Sequence, residues 1–479
     1  MKTLQPKAVW NFFHEITQIP RPSKKEEQII AYLRAFGNMH KLITKTDKVG
    51  NVLICKPATA GFENRKTTIL QAHIDMVCEK NSDTVFNFDT DPIQTYVEDD
   101  WVKAHGTTLG GDNGIGMAMM LAVLASDELK HPALECLFTV DEETGLTGAF
   151  ALEQNFLSGE VLINLDSEDD GEVFVGCAGG IDTTATMTYL PKKTPENYFA
   201  FSVSVKGLAG GHSGDDIEKG RGNANKILNR FLWTLNKQTD LRLASFDGGN
   251  LRNAIAREAV AVACVPWSEK ENVRILFNHF INDLEIEISD VEPKMALSLE
   301  SETAPETVMD KKTSNALLNA LYACAHGVNA MSRDMKDLVE TSTNLASVKM
   351  KEGNTILITT SQRSSVESSK YDIMQQVEAV FALAGASVTH GDGYPGWKPN
   401  LKSDVLKTAQ ASYLKLFGEE PKIRAIHAGL ECGLFLEKYP FLDMISIGPQ
   451  MYGVHSPDER LSISSTEKCW KWLVEILKN

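Results

Sequence analysis

The sequence predicts an α/β fold with a second, inserted α+β domain. Short apolar runs typical of buried strands alternate with helical patterns near both ends of the chain. Between them, from about Asp182 to about Trp397, the pattern changes to alternating strands separated by helices. The chain of 479 residues is also too long for one ordinary core. We therefore expect a catalytic domain built from residues 1–186 and 396–479, and an insertion over residues 187–395.

The first part of the chain carries the elements of the α/β sheet. Ser23 and Glu26 have capping-box spacing and predict the start of an amphipathic helix. Asp112 and Asn113 precede a buried helix with a polar N-terminus. The predicted buried strands cover residues 67–70, 134–140 and 161–165.

The rest of the chain supplies the insertion and the return to the sheet. Ser464 and Glu467 predict a capping-box start for the last helix. The other predicted elements are strands at 201–205, 356–360 and 444–447, and helices at 223–235, 314–325 and 405–416.

Composition excludes several classes of partner. The formal net charge of −16 argues against nucleic acid, because binding to a duplex depends on Lys and Arg that neutralise phosphates. The start of the chain lacks the apolar core of a signal peptide, and no apolar stretch is long enough to span a bilayer. Eight scattered cysteines without a C-x-x-C pair predict reduced thiols. We expect a cytoplasmic protein without a membrane partner.

The pattern His73-Ile74-Asp75 directly follows the first buried strand. A histidine that binds a metal usually donates its second N–H to an oxygen, so Asp75 could orient His73. Taken alone, a structural histidine in a loop explains the pattern equally well.

Four further motifs bring acidic or imidazole groups to strand ends or loops: Asp112, Glu142 with Glu143, Asp166 and His455. Asp112 also fits a helix N-cap, and the motifs of Glu142 with Glu143 and of Asp166 also fit solvated acidic loops. In an α/β sheet, however, ligands bind beyond the carboxyl ends of the strands, where several of these residues are expected. Two imidazoles and several carboxylates form a ligand set that suits paired zinc ions.

These motifs, taken in order, resemble those of the co-catalytic zinc peptidases, the family that includes carboxypeptidase G, aminoacylase and the cytosolic dipeptidases. The resemblance covers essentially the whole chain and implies a mixed central sheet flanked by helices, with the insertion serving as a lid. It implies that Asp112 bridges two metal ions. His73 and Asp166 would complete one metal site, and Glu143 and His455 the other.

The resemblance also implies a reaction. Glu142 would be the general base that takes a proton from metal-activated water and passes it to the leaving amine, with Asp75 orienting His73. The cofactor would be two divalent ions per subunit, zinc by resemblance, although the same ligands accept cobalt or manganese.

The resemblance also implies catalytic and substrate-binding residues in the insertion, with one further candidate, Glu431, in the second part of the catalytic domain. His212, in Gly-Gly-His-Ser-Gly, resembles the lid histidine that stabilises the tetrahedral oxyanion, and Asn253 resembles the lid asparagine. Arg363 resembles the arginine that binds the substrate's C-terminal carboxylate, and Glu431 is a candidate for its α-amino group. From the residues alone, His212 also fits an exposed glycine-rich turn, and Asn253 and Arg363 fit ordinary surface positions.

A site that binds both termini favours dipeptides, because a longer peptide would leave a charged group without a partner. The resemblance implies broad specificity that includes dipeptides ending in histidine. His212 precedes Asn253 in the order of dimeric members, which predicts a homodimer.

Other functions remain open at this point. An N-acyl amino acid deacylase would use the same metals and Glu142, and a metal-binding protein without activity would not need Glu142. A serine hydrolase is disfavoured because Asp215 stands where G-x-S-x-G closes, and a zincin because Gln18 stands where H-E-x-x-H needs its second histidine.

Overall fold

The computed structural model describes residue 1 and residues 3–479, and the chain divides into two compact units. The first unit comprises Met1–Gly176, Pro399–Ala425 and Leu430–Asn479, and the second comprises Cys177–Lys398 and Ile426–Gly429. The predicted limits of the insertion, residues 187 and 395, fall inside the second unit and stay predictions.

Helices and strands alternate along most of the described chain. The α-helices are Lys7–Thr17 (α1), Glu27–Met39 (α2), Gly111–Ala125 (α3), Glu142–Gly145 (α4), Thr147–Ala151 (α5), Ala224–Gln238 (α6), Lys270–Ile288 (α7), Lys311–Ala323 (α8), Glu367–Leu383 (α9), Asp404–Phe417 (α10), Cys432–Lys438 (α11) and Ile463–Lys478 (α12). Within the described part of the chain, none of these helices has both the length and the apolar character that crossing a bilayer requires.

The strands are Ile43–Thr46 (β1), Val52–Lys56 (β2), Thr68–His73 (β3), Thr95–Glu98 (β4), Trp101–Ala104 (β5), Leu134–Thr139 (β6), Val161–Asn164 (β7), Glu172–Cys177 (β8), Gly179–Thr188 (β9), Pro191–Lys193 (β10), Tyr198–Lys206 (β11), Arg242–Gly248 (β12), Ala259–Pro266 (β13), Ala296–Glu302 (β14), Thr307–Met309 (β15), Gly327–Met331 (β16), Val339–Lys351 (β17), Thr355–Ser364 (β18), Ser387–His390 (β19), Lys422–Ile426 (β20), Asp443–Ser446 (β21), Met451–Tyr452 (β22) and Arg460–Ser462 (β23).

The first unit is built on a mixed sheet with strand order β1-β2-β6-β3-β7-β21-β8-β20. Strands β6, β3, β7 and β21 run parallel, while β1 pairs antiparallel with β2, β2 with β6, and β8 with β21. Every residue of β3 and β6 is buried, which is typical of parallel strands covered on both faces. The α/β fold with a mixed central sheet is confirmed.

The buried helix predicted after Asp112 and Asn113 is α3, which packs against β3 and α1. Asp112 and Asn113 lie within its first turn but have non-helical backbone angles, so the helix bends where it begins. A smaller sheet of strand order β22-β23-β5-β4 flanks the loop that carries His455.

The second unit contains a nine-stranded sheet with the order β14-β11-β13-β12-β17-β18-β9-β19, in which β16 pairs with β17. All the pairs in this sheet are antiparallel. Helices α6 to α9 pack on it through one apolar core, in which Phe201, Phe231, Phe246 and Phe381 are almost fully buried. The predicted α+β character of the insertion is therefore present in this unit.

The helix predicted after Ser23 and Glu26 forms as α2, but the capping box is wrong. The Ser23 hydroxyl donates to the Asp75 carboxylate at 2.7 Å. Glu26 Oε1 instead accepts from the backbone N–H groups of Lys24 at 2.8 Å and Asp141 at 3.1 Å. Both side chains have partners beyond their own helix, and sequence spacing carries no sign of them.

The cap of the last helix is also shifted. Ser462 caps α12, and its hydroxyl accepts from the backbone N–H of Ser465 at 3.2 Å. Ser464, the predicted cap, donates instead to Asp100 at 2.6 Å. A carboxylate distant in sequence therefore takes the hydroxyl that the local pattern assigned to the cap.

Candidate active site

The predicted ligands of the first unit meet at one edge of its sheet. His73 is the last residue of β3 and pairs with Thr139, the last residue of β6. Glu142 and Glu143 open α4 just after β6, and Asp166 follows the end of β7 by two residues. Because these parallel strands end at the same edge, the side chains that follow them come together.

Asp112 lies at the centre of this group. Its Oδ1 is 2.9 Å from His73 Nε2, and its Oδ2 is 3.2 Å from His455 Nε2. His73 Nε2 also lies 3.3 Å from Asp166 Oδ1, and His455 Nε2 lies 3.1 Å from Glu143 Oε2. The five side chains thus form two groups that share Asp112, in the arrangement predicted for two adjoining metal sites.

The donor set fits divalent cations. Three carboxylates crowd together around two imidazoles, and like charges at such distances repel unless a cation lies between them. Ligand atoms of His73, Asp112 and Glu143 lie within 4.8 Å of one another. Glu143 Oε1 is buried without a hydrogen-bond partner among the described residues. Imidazole and carboxylate donors are those that zinc and similar ions prefer.

The raised pKa values of several side chains in this group reflect an excess of negative charge. Hydrogen bonds to Asp112 and Glu143 raise the pKa of His455 to about 11. Burial raises the pKa of Asp166 to about 6, and Asp112 adds to this shift. Burial also raises the pKa of Glu142 well above its ordinary value, with Asp166 among the carboxylates that contribute. Bound positive charge would relieve this repulsion.

Asp75 contacts more residues of the candidate site than the sequence predicted. It is fully buried, and its Oδ1 lies 3.3 Å from His73 Nδ1. It also accepts from the backbone N–H groups of Glu142 at 3.0 Å and Glu143 at 3.2 Å. The same carboxylate therefore lies against the ring of His73, a candidate ligand, and holds the start of the helix that carries Glu142.

Arg21, which the sequence analysis missed, lies behind the ligands. Its side chain is 2% exposed, and its guanidinium donates to the carbonyl oxygens of Ile74 at 3.0 Å, Asp75 at 2.5 Å and Gly110 at 2.5 Å. It thereby ties the loop after His73 to the loop before Asp112. No local motif marks this role, because every acceptor is a backbone carbonyl distant in sequence.

Glu459, also missed, holds the loop before Asp112 from the other side. Its carboxylate accepts from the backbone N–H groups of Leu109 at 2.6 Å, Gly110 at 3.0 Å and Gly111 at 2.7 Å. Gly110 has a φ of 69°, a conformation that glycine adopts without strain. Because Glu459 follows His455 by four residues, it connects the segments that carry two of the ligands.

Replacing Glu459 with glutamine is expected to lower the affinity for Zn²⁺ about 10- to 100-fold, the usual cost of losing a partner behind a ligand. The physical reason is that the backbone N–H groups now donate to two carboxylate oxygens, whereas glutamine would offer them only one acceptor oxygen. Competition with a chromophoric chelator measures the affinity. Glu467→Gln, on the exposed side of α12 and paired with Lys471, is the matched control; equal affinities for the two variants would contradict the role of Glu459.

Glu431 is a buried acid beneath the same sheet edge. Its side chain is 1% exposed, and its Oε2 accepts from Gln71 Nε2 at 2.6 Å and Thr139 Oγ1 at 2.9 Å. Burial raises its pKa to about 8, and Asp166 contributes to the shift. Its Oε1 has no hydrogen-bond partner among the described residues, so one acceptor remains available.

Two of the site residues predicted in the insertion, Arg363 and His212, lie beside each other within the second unit. Arg363, on β18, is 7% exposed, and its Nη2 lies 3.4 Å from His212 Nε2. Its Nη1 donates to the hydroxyl of Tyr394 at 2.9 Å, and its Nε donates to Ser213 Oγ at 3.4 Å. No carboxylate pairs with Arg363 in the described part of the chain. A buried cation with only neutral partners is costly, which indicates a site for an anion.

The segments of His212 and Asn253 lie side by side. The backbone N–H of Ser213 donates to the carbonyl oxygen of Asn253 at 2.8 Å, and Ile255 N–H donates to Gly211 at 2.9 Å. His212 Nδ1 lies 3.3 Å from the backbone nitrogen of Gly214 and 3.3 Å from Asp215 Oδ2. The Asn253 side chain is exposed. The backbones of the two segments therefore lie together, while no hydrogen bond of the Asn253 amide is found among the described residues.

Comparisons with known proteins agree with the motifs. Over 478 residues the chain is 44% identical to cytosol non-specific dipeptidase of Escherichia coli (strain K12), covering 100% of this chain and 98% of that protein. The crystal structure of aminoacylhistidine dipeptidase from Vibrio alginolyticus shares 43% identity and a TM-score of 0.93, covering 100% of this chain and 97% of the other.

A more distant structure is that of aminopeptidase PepT from Bacillus cereus ATCC 10987, with 15% identity and a TM-score of 0.58. The match covers 99% of this chain and 98% of that one, and it shows the fold alone. Residues 69–479 match the family described as Peptidase family M20/M25/M40. The resemblance drawn from the ligand motifs is thereby confirmed, and this chain belongs to peptidase family M20/M25/M40.

Proposed function

We propose that the protein is a metal-dependent dipeptidase of broad specificity that also cleaves dipeptides ending in histidine. The observation that carries the proposal is Asp112 placed between two imidazoles, with Asp166 and Glu143 completing the two groups. The full-length similarity to proteins named cytosol non-specific dipeptidase and aminoacylhistidine dipeptidase supports the substrate class.

The metal-binding residues in this proposal are those of the sequence analysis: His73, Asp112, Glu143, Asp166 and His455. They would hold two divalent ions, zinc by the donor set, with cobalt and manganese as alternatives. When bound, such ions polarise a carbonyl group and lower the pKa of water.

Glu142 is the proposed general base. It would take the proton of the attacking water and deliver it to the leaving nitrogen, so that no covalent intermediate with the protein is needed. Asp75 supports this step because it holds both the His73 ring and the backbone N–H of Glu142. Burial raises the affinity of Glu142 for the transferred proton.

The second unit would act on the rest of the substrate. Arg363 is proposed to bind the C-terminal carboxylate, His212 to stabilise the oxyanion from Nε2, and Asn253 to assist as the lid amide. Glu431, with one unpartnered oxygen, is proposed to meet the α-amino group. The second unit is accordingly proposed to be the lid that the resemblance implies.

Assembly and location are further parts of the proposal. The order of His212 and Asn253 along the chain supports a homodimer, as in the dimeric members of the family. The name of the Escherichia coli relative supports a cytoplasmic location. Sedimentation velocity of the purified protein measures the oligomeric state, and a monomer at micromolar concentration would contradict the proposed homodimer.

The test of the proposed function compares release of amino acids from Ala-His with release of histidine from N-acetyl-histidine. We expect cleavage of Ala-His that is lost with a chelator and restored by Zn²⁺, with Co²⁺ and Mn²⁺ as parallel additions. Cleavage of N-acetyl-histidine alone would establish a deacylase instead. Dipeptide cleavage that persists after complete removal of metal would contradict the metal-dependent reaction.

A further inference from the structure

The hydroxyl of Tyr394 accepts a hydrogen bond from Arg363 Nη1 at 2.9 Å, and its own proton takes no part in that contact. Burial raises the pKa of Tyr394, although Arg363 opposes the shift, so the phenol keeps its proton at neutral pH. A phenol that already accepts from a guanidinium can use that proton only as a donor.

The backbone of Tyr394 is fixed from several sides. Its N–H donates to the carbonyl oxygen of Gly180 at 2.8 Å, and the N–H of Gly180 donates back to the Tyr394 carbonyl at 3.0 Å. Lys370, which is 2% exposed and pairs with Glu367, donates from Nζ to the same carbonyl at 2.9 Å. These hydrogen bonds hold the backbone of Tyr394 in place.

Two glycines leave room for the ring. A Cβ atom on Gly180 would lie 2.7 Å from Tyr394 Cζ, and one on Gly429 would lie 2.8 Å from Tyr394 Cε2. Real Cβ atoms do not approach so closely, so any larger residue at either position would displace the ring. The spacing of these glycines thus sets the position of the hydroxyl beside Arg363.

Arg363 and Tyr394 together offer hydrogen-bond donors at one place in the second unit. The guanidinium carries several N–H groups, and the Tyr394 hydroxyl beside it, at 2.9 Å from Nη1, keeps its own proton to donate. A carboxylate is acceptor-only and satisfies several donors at once, whereas an amide would place its own N–H groups against them. The region therefore favours a free carboxylate over a neutral amide.

We propose that the Tyr394 hydroxyl donates a hydrogen bond to the substrate's C-terminal carboxylate beside Arg363, and so makes the enzyme select a free carboxylate. The proposal rests on the proposed function, because it assigns a second donor to the carboxylate site of the dipeptide. Tyr394 would act on substrate binding and leave the reaction at the peptide bond unchanged.

Tyr394→Phe removes the hydroxyl and keeps the ring between its two glycines. We expect KM for Ala-Ala to rise about 10- to 100-fold, the range for losing a hydrogen bond to a charged group, with kcat within about 2-fold. The ratio of kcat/KM for Ala-Ala to that for Ala-Ala amide should fall by a similar factor. Steady-state kinetics with both substrates on one preparation measures this ratio, which does not depend on the fraction of folded protein.

Tyr322→Phe is the matched control, because Tyr322 stacks on Trp233 elsewhere in the same unit and is 45% exposed. An unchanged acid-to-amide ratio in Tyr394→Phe would overturn the proposal, and so would a loss of kcat without a change in KM. If the wild-type protein cleaves only N-acyl amino acids, the proposed function fails. In that case, the acid-to-amide ratio of kcat/KM is measured for the wild type and Tyr394→Phe with an N-acyl amino acid and its amide. This ratio tests the role of Tyr394 separately.

Discussion

Glu142→Gln is expected to lower kcat by roughly 10²–10⁴-fold, the contribution of a positioned general base. Glutamine keeps the size of the side chain but cannot accept and return a proton. Because Glu142 is not among the proposed metal ligands, the variant should bind as much Zn²⁺ as the wild type. Stopped assays of Ala-His cleavage and metal analysis of the same sample measure both quantities.

Glu153→Gln provides the control for this experiment. Glu153 is a half-exposed carboxylate of the first unit that pairs with Lys48, so its loss should leave both kcat and metal content unchanged. A Glu142→Gln protein that retains metal and most of its activity would rule out Glu142 as the base. A protein that loses its metal would show instead that Glu142 helps to hold the ions.

The second large effect is expected from Asp112→Asn. An amide presents one oxygen, so it cannot face His73 and His455 with an acceptor on each side as the carboxylate does. We expect at most one tightly bound ion per chain. The affinity for Zn²⁺ should fall at least about 100-fold, because losing a ligand costs more than losing a residue that only orients a ligand. Dipeptide cleavage should fall below detection.

Equilibrium dialysis against buffered Zn²⁺ measures the stoichiometry of this variant. Asp127→Asn is the control, because Asp127 is exposed and lies outside the site. Two ions bound with unchanged affinity in Asp112→Asn would contradict the bridging role. Retention of two ions with lost activity would assign Asp112 to the reaction and not to metal binding.

The ligand group could be predicted from sequence because each member follows a recognisable element. His73 ends a strand that is apolar along most of its length, and Glu142 and Asp166 follow strands of the same kind, so the parallel sheet brings them together. His455 lies in a loop far along the chain, and its place beside Asp112 and Glu143 was implied only by the family resemblance. Strand periodicity alone would not have placed it near Asp112.

The residues that hold the ligands could not be predicted in the same way. Arg21 and Glu459 act on backbone carbonyl and N–H groups, which every sequence possesses, so no residue pattern identifies their partners. Tyr394 was missed for a related reason, since its contact with Arg363 depends on strand pairing and on the space left by two glycines. The helix caps at Ser23 and Ser464 failed because distant carboxylates compete for their hydroxyl groups.

Asp112 is proposed to join two metal sites. A crystal structure of the Zn²⁺-loaded protein, with anomalous scattering recorded at the zinc absorption edge, tests it most directly. We predict two peaks, one on each side of the Asp112 carboxylate, with His73 and Asp166 at one and Glu143 and His455 at the other. A single peak, or zinc bound away from Asp112, would contradict the account.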